Sequence, residues 1–120
     1  MSEIGQKIIA GIRKLAEEQP DFRYHPPDGD TCVYVHDGEG SCGVGRVLLD
    51  LGLITPALEH DRHSVAGTLI NQGAASDLLK YVDAALDRPE IDWISRYQMA
   101  QDDEHPWRRA VQLADLRVAL

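Results

Sequence analysis

A chain of 120 residues, 43% of them hydrophobic, can bury one core and has no room for a catalytic domain beside a regulatory one, so a single domain over residues 1–120 is expected. A formal net charge of −8 argues against general affinity for nucleic acid or anionic membranes, although an acidic surface could imitate DNA toward a basic DNA-binding protein. Charges between the apolar residues of MSEIGQKIIAGIRK do not suit a secretory signal, and no apolar run approaches a membrane span, so a cytoplasmic protein is expected.

Residues 2–18 read as a helix, with Ile4, Ile8, Ile12 and Leu15 on one stripe, Ile9 and Ala16 widening it, and Pro20 ending it. Phe22 to Asp30 is a connector, because Pro26-Pro27 and Asp28-Gly29 suit neither a helix nor a central strand; Phe22 and Tyr24 can begin a short edge strand. Cys32 to Val35 have the residue types of a half-buried strand, and Asp37-Gly38 is a tight-hairpin dipeptide. Ser41 is the expected cap of a short helix carrying Val44, Val47, Leu48 and Leu51, and Gly52 is its expected stop. A helix that short is unstable alone in water, so its apolar stripe must be buried.

Thr55-Pro56 opens a short helix toward His60, and a further short helix spans 64–71. Ser76 caps a helix with Leu78, Leu79, Val82, Ala85 and Leu86, and the next starts near Pro89 with Ile91, Ile94 and Tyr97 on one side, Trp93 at its margin and Met99 off the stripe. The acidic run at Asp102, Asp103 and Glu104 and a first-turn Pro106 introduce the last helix. Trp107, Ala110, Val111, Ala114 and Val118 form one apolar stripe of that helix, and Leu113, Leu116 and Leu120 fall on nearly the opposite side. One stripe serves the core; the other must meet another part of the domain or a second copy, which makes Trp107, Leu113, Leu116 and Leu120 candidate interface residues.

Three sets of residues raise ligand chemistry. Gly38, Gly40 and Gly43 spell G-x-G-x-x-G between a strand and a helix, where backbone N–H groups could face a pyrophosphate. No Walker-type lysine follows them and no second parallel strand is visible, so a turn and a close helix contact account for them as well. His60 and His63, three apart, could share a helix face and a metal, but the H-E-x-x-H arrangement is absent and no third ligand stands at a fitting spacing. The two cysteines, Cys32 and Cys42, lack C-x-x-C spacing and would point to opposite faces of a hairpin, which favours two small buried hydrophobes. No G-x-S-x-G elbow or recognisable cysteine nucleophile is present, so a non-enzyme without cofactor is expected.

The patterns CVYV before the turn, SCGVGRVLLDLG after it and AQDDEHPWRRAV near the end resemble a family of small uncharacterised proteins of actinobacteria and their bacteriophages. Relatives there read C-x-V-G-x-x-L at the segment matching Cys42 to Leu48 and Q-D-x-G-x-P-W at the later one, where this chain has Glu104 in place of the glycine. The resemblance implies one cytoplasmic domain of possible phage origin and assigns no activity. The expected fold is α+β and mainly α, five or six helices around a short hairpin. The expected function is a non-enzymatic protein interaction, as a homo-oligomer that also meets a host or phage protein, without direct nucleic-acid or membrane contact. A small-ligand or metal site at Gly38 to Gly45 or at His60 and His63 is the rival, and acidic DNA mimicry a third reading.

Overall fold

Residues Glu3–Glu18 form α1 in a computed structural model that describes residues 2–26, 33–57 and 85–120. Ser2 caps α1 by accepting the Gly5 N–H at 2.9 Å, and the isoleucine stripe is buried as its spacing predicts, with Ile8, Ile9, Ile12 and Ala16 in the core. Each such isoleucine contributes about 1.5–3 kcal/mol by leaving water, which is what holds an otherwise marginal helix in place. The connector after Gln19 is irregular and forms no edge strand at Phe22 and Tyr24, because its polar groups go elsewhere. The carbonyls of Pro20 and Phe22 accept N–H groups from the last helix, and the Tyr24 hydroxyl pairs with Ser41 Oγ at 2.8 Å.

Two short strands, β1 (Val35–His36) and β2 (Glu39–Gly40), pair antiparallel with Val35 opposite Gly40 and His36 opposite Glu39. The loop is Asp37-Gly38, both at positive φ (52° and 78°), as a two-residue turn between right-twisted strands requires. The ladder therefore sits one step later than a strand over Cys32 to Val35 would place it, and Ser41 N–H and Cys42 N–H close back onto the Tyr34 and Val33 carbonyls. Cys32 lies outside the described residues; Cys42 is a free, buried thiol.

Helix α2 (Gly43–Asp50) follows at once. Its cap is Cys42, whose Sγ accepts the Gly45 N–H at 3.4 Å, and not Ser41, whose hydroxyl is taken by Tyr24. Val44, Val47 and Leu48 face the core, and Gly52 at φ 71° ends the helix: its N–H reaches the Leu49 carbonyl while Leu53 N–H reaches that of Leu48.

Helices α3 (Arg88–Asp102) and α4 (Trp107–Arg117) form an antiparallel hairpin that closes the core. Trp93, Ile94 and Tyr97 are fully or almost fully buried, so Trp93 is a central residue and not a marginal one. Its indole N–H donates to Asp115 at 2.9 Å and the Arg13 guanidinium lies 5.1 Å from its ring, which ties α1, α3 and α4 at one point. Pro106 is the cap of α4 and not a first-turn residue; the Trp107 and Arg108 N–H groups donate to the Phe22 and Pro20 carbonyls instead of to a capping side chain. The fold is thus mainly helical α+β, with four helices and one hairpin among the described residues. The short helices expected between Thr55 and Leu86 lie outside them, apart from their outermost residues.

Candidate functional site

Side chains distant in sequence satisfy the helix ends that approach one another. Glu90, in the first turn of α3, is completely buried, and its carboxylate accepts the Asp87 N–H (2.7 Å), the Ser2 N–H (3.0 Å) and the Ser2 hydroxyl (2.6 Å). It lies between the N-termini of α1 and α3, where two positive dipole ends stabilise an anion. Gly5 has no side chain because a Cβ there would strike this carboxylate. Gln101, also buried, accepts the Gly43 N–H at 2.8 Å and so caps α2 from α3.

This capping bears on the glycine motif. Gly38 sits at the exposed tip of the hairpin, and a Cβ on Gly40 would meet the backbone of Arg46. The Gly43 N–H is held by Gln101 and the Gly45 N–H by Cys42, while Gly45 lies directly on the Tyr34 carbonyl. Two of the donors that a phosphate would use at the start of α2, the Gly43 and Gly45 N–H groups, are engaged within the chain. His60 and His63 lie outside the described residues, and no group of three or more potential metal-ligating side chains occurs among the described ones.

Arg13 and Asp115 form a two-pronged surface ion pair, with parallel contacts of 3.0 and 2.8 Å. The hydrogen bond from Arg13 is the main cause that holds the Asp115 carboxyl below its ordinary range, and the same bond raises Arg13 further. Arg46 lies over both Phe22 and Trp107, 5.2 and 5.1 Å from their rings, with its Nε donating to the Ser41 carbonyl.

The four candidate interface residues are not brought to one face. Trp107 is fully buried, 4.5 Å from the Phe22 ring centre, because its indole plugs the gap between α4 and the connector; it is a core residue and cannot be a surface contact. Leu120 lies beyond α4 and lines a shallow cavity with Ile9, Ala10 and Arg13 on α1. Leu113 and Leu116 do stand together on the outer side of α4, Leu113 half-buried and Leu116 73% exposed. Beside them, between α3 and α4, runs an open groove of about 600 Å³ lined by Met99, Leu113, Arg96, Arg117, Asp103 and His105 among others. Met99 is 53% exposed there. Its position off the apolar stripe of α3 was the sequence signal for this surface, and Arg96 and Arg117 carried no signal because charged residues on outer helix positions are ordinary.

The elements form a small α+β fold, and among the described residues the two most exposed large hydrophobic side chains, Leu116 and Met99, are on the α3–α4 hairpin. No family model matches the chain, and neither a curated protein nor a solved structure matches it. No helix among the described residues is long and apolar enough to cross a membrane.

Proposed function

We propose that this chain is a non-enzymatic protein-interaction protein that works as a homo-oligomer, with the outer side of α4 and the adjoining groove as the contact between copies. The observation that carries the reading is the open groove that brings exposed Met99 and half-buried Leu113 together, with exposed Leu116 one helical turn from Leu113. A single exposed leucine is ordinary, whereas apolar side chains that line an open groove and continue onto the next helical turn offer a contact face. Charge selects a second copy as the occupant. Two chains of net charge −8 repel unless the touching surfaces are locally balanced, and in this groove Arg96 and Arg117 offset Asp102 and Asp103. The resemblance to small actinobacterial and phage proteins supports a cytoplasmic setting and a host or phage protein as the further partner.

Light scattering after size exclusion, at two protein concentrations, tests the reading. The wild type is expected at a multiple of 13.3 kDa, and Leu116→Glu at 13.3 kDa, still folded but with the melting temperature lowered by the loss of the subunit contact. A wild type that remains at single-chain mass at the higher concentration overturns the reading, as does a Leu116→Glu variant with the mass of the wild-type oligomer.

A further inference from the structure

The described residues include eight arginines, and six of them hold a partner inside the chain. Arg13 holds Asp115, Arg23 the Glu104 carbonyl, Arg46 the Ser41 carbonyl, Arg88 Asp92, Arg108 Asp21 and Arg109 Gln112. Arg96 and Arg117 hold none among the described residues, and both line the groove between α3 and α4. In a chain of net charge −8, carboxylates are abundant and most arginines have found an acceptor. Two guanidinium groups without a partner among the described residues, both on one groove beside exposed Met99, therefore leave that surface able to take a carboxylate from outside the chain.

The carboxylate that answers it is in the same groove. Asp103, the C-cap of α3, is exposed, and its side chain has no partner among the described residues. Arg96, Met99 and Asp103 follow one another at spacings of three and four, or four and three when read backwards, so they lie along one edge of α3. From Arg96 to Asp103 the helix rises about 10 Å, and the midpoint falls between Met99 and Ala100. A two-fold axis through that midpoint lays α3 antiparallel against its copy. Arg96 of each chain then faces Asp103 of the other, and the two Met99 side chains meet at the centre. An isologous contact needs such a self-complementary stripe, cation and anion equidistant from an apolar centre.

We infer that the oligomer is a two-fold dimer whose register is set by reciprocal Arg96–Asp103 pairs across the α3–α4 groove, with Met99 at the axis, Leu113 and Leu116 beside it, and Arg117 as a second cation toward the partner's acidic turn. The inference rests on the homo-oligomer reading and adds its symmetry, register and specificity. Like charges brought together at such a contact weaken association by about 100-fold or more. Opposite charges restored at the same positions recover it. High salt loosens the wild-type dimer, because the pairs lie at an exposed rim.

The test is a charge exchange on the full chain, read by light scattering. Arg96→Asp alone and Asp103→Arg alone are each expected at 13.3 kDa at a concentration where the wild type is a dimer. The double variant, carrying both changes in one chain, is expected to dimerise with itself. An equimolar mixture of the two single variants is expected to form a heterodimer, since each pair is then of opposite charge. Neither change disturbs the fold: both side chains are exposed, and an arginine at the end of α3 suits its dipole. Single variants that keep the dimer mass overturn the register, as does a mixture that stays monomeric. If Leu116→Glu dissociates a dimer that the charge variants leave intact, the register falls and the homo-oligomer reading stands. A monomeric wild type removes both.

Discussion

Glu104 offers a quantitative test of how α3 ends. The helix closes in a motif in which the Glu104 N–H donates to the Gln101 carbonyl and the His105 N–H to that of Ala100, each at 3.1 Å. The residue in its left-handed position is Glu104 at φ 63°, a conformation that costs an L-residue about 1–2 kcal/mol. Helix α2 ends in the same motif with Gly52 at φ 71° in that position, so the molecule contains both versions. Glycine relieves the strain but loses about 0.4–1 kcal/mol through the greater freedom of the unfolded chain. Glu104→Gly is therefore expected to be about 0.5–1 kcal/mol more stable than Glu104→Ala. Comparing these two variants cancels the ion pair between Glu104 and His25 (3.0 Å, both side chains more than 60% exposed), which is absent from both. The Arg23 contact goes to the Glu104 carbonyl and survives in both. In thermal melts this difference is about 2–4 °C for a domain of this size. Gly52→Ala is the reverse experiment and should lose about 1 kcal/mol purely through the backbone, since nothing lies within 4 Å of the added Cβ. If Glu104→Ala melts at or above Glu104→Gly, the left-handed strain is not the controlling quantity and the reasoning is refuted.

The remaining predictions concern groups that link distant segments. Glu90→Gln should cost about 1–3 kcal/mol in urea unfolding, because an amide N–H₂ placed among the N–H and O–H donors of Ser2 and Asp87 cannot accept them; a loss below 0.5 kcal/mol would contradict the buried carboxylate bridge. Trp93→Phe should be about 1 kcal/mol worse than Trp107→Phe in the same assay, since the first removes the bond to Asp115 and the second a buried donor without a partner among the described residues. Because Asp115 titrates lower folded than unfolded, its contribution is present above the unfolded carboxylate range and is lost as pH falls through its folded value. Asp115→Asn should therefore flatten the fall of stability on the acid side of pH 4, by less than about 1 kcal/mol for an exposed pair; an unchanged acid slope would refute the coupling.

The elements whose signals are local were legible in the sequence. The isoleucine stripe of α1, the Asp37-Gly38 turn, the glycine stop of α2 and the start of α3 near Pro89 all depend on residues within a few positions of one another. What could not be read is every contact whose partner is far along the chain. Ser41 is the better cap by residue type, yet its hydroxyl goes to Tyr24, 17 positions away, and leaves the cap to the weaker acceptor Cys42. Trp93 lies at the margin of its own helical stripe but at the centre of the junction with Arg13 and Asp115. For the candidate site, the exposed faces of α4 were legible as periodicity. Which face turns inward was not, because only the path of the connector decides that Trp107 is buried.

The same long-range economy governs how the glycine-rich stretch packs. A helix N-terminus binds an external anion when its N–H groups have no internal acceptor. Here Ser2 and Glu90 hold the start of α1, Gln101 and Cys42 that of α2, and the Pro20 and Phe22 carbonyls that of α4. Each of these arrangements joins segments that would otherwise depend on short amphipathic helices alone, so the donors cross-brace a small core. Partner-seeking polar capacity is then found on the surface, in Arg96 and Arg117 beside exposed Met99. On the homo-oligomer reading, that distribution turns the groove toward a surface that matches it in both charge and apolar character.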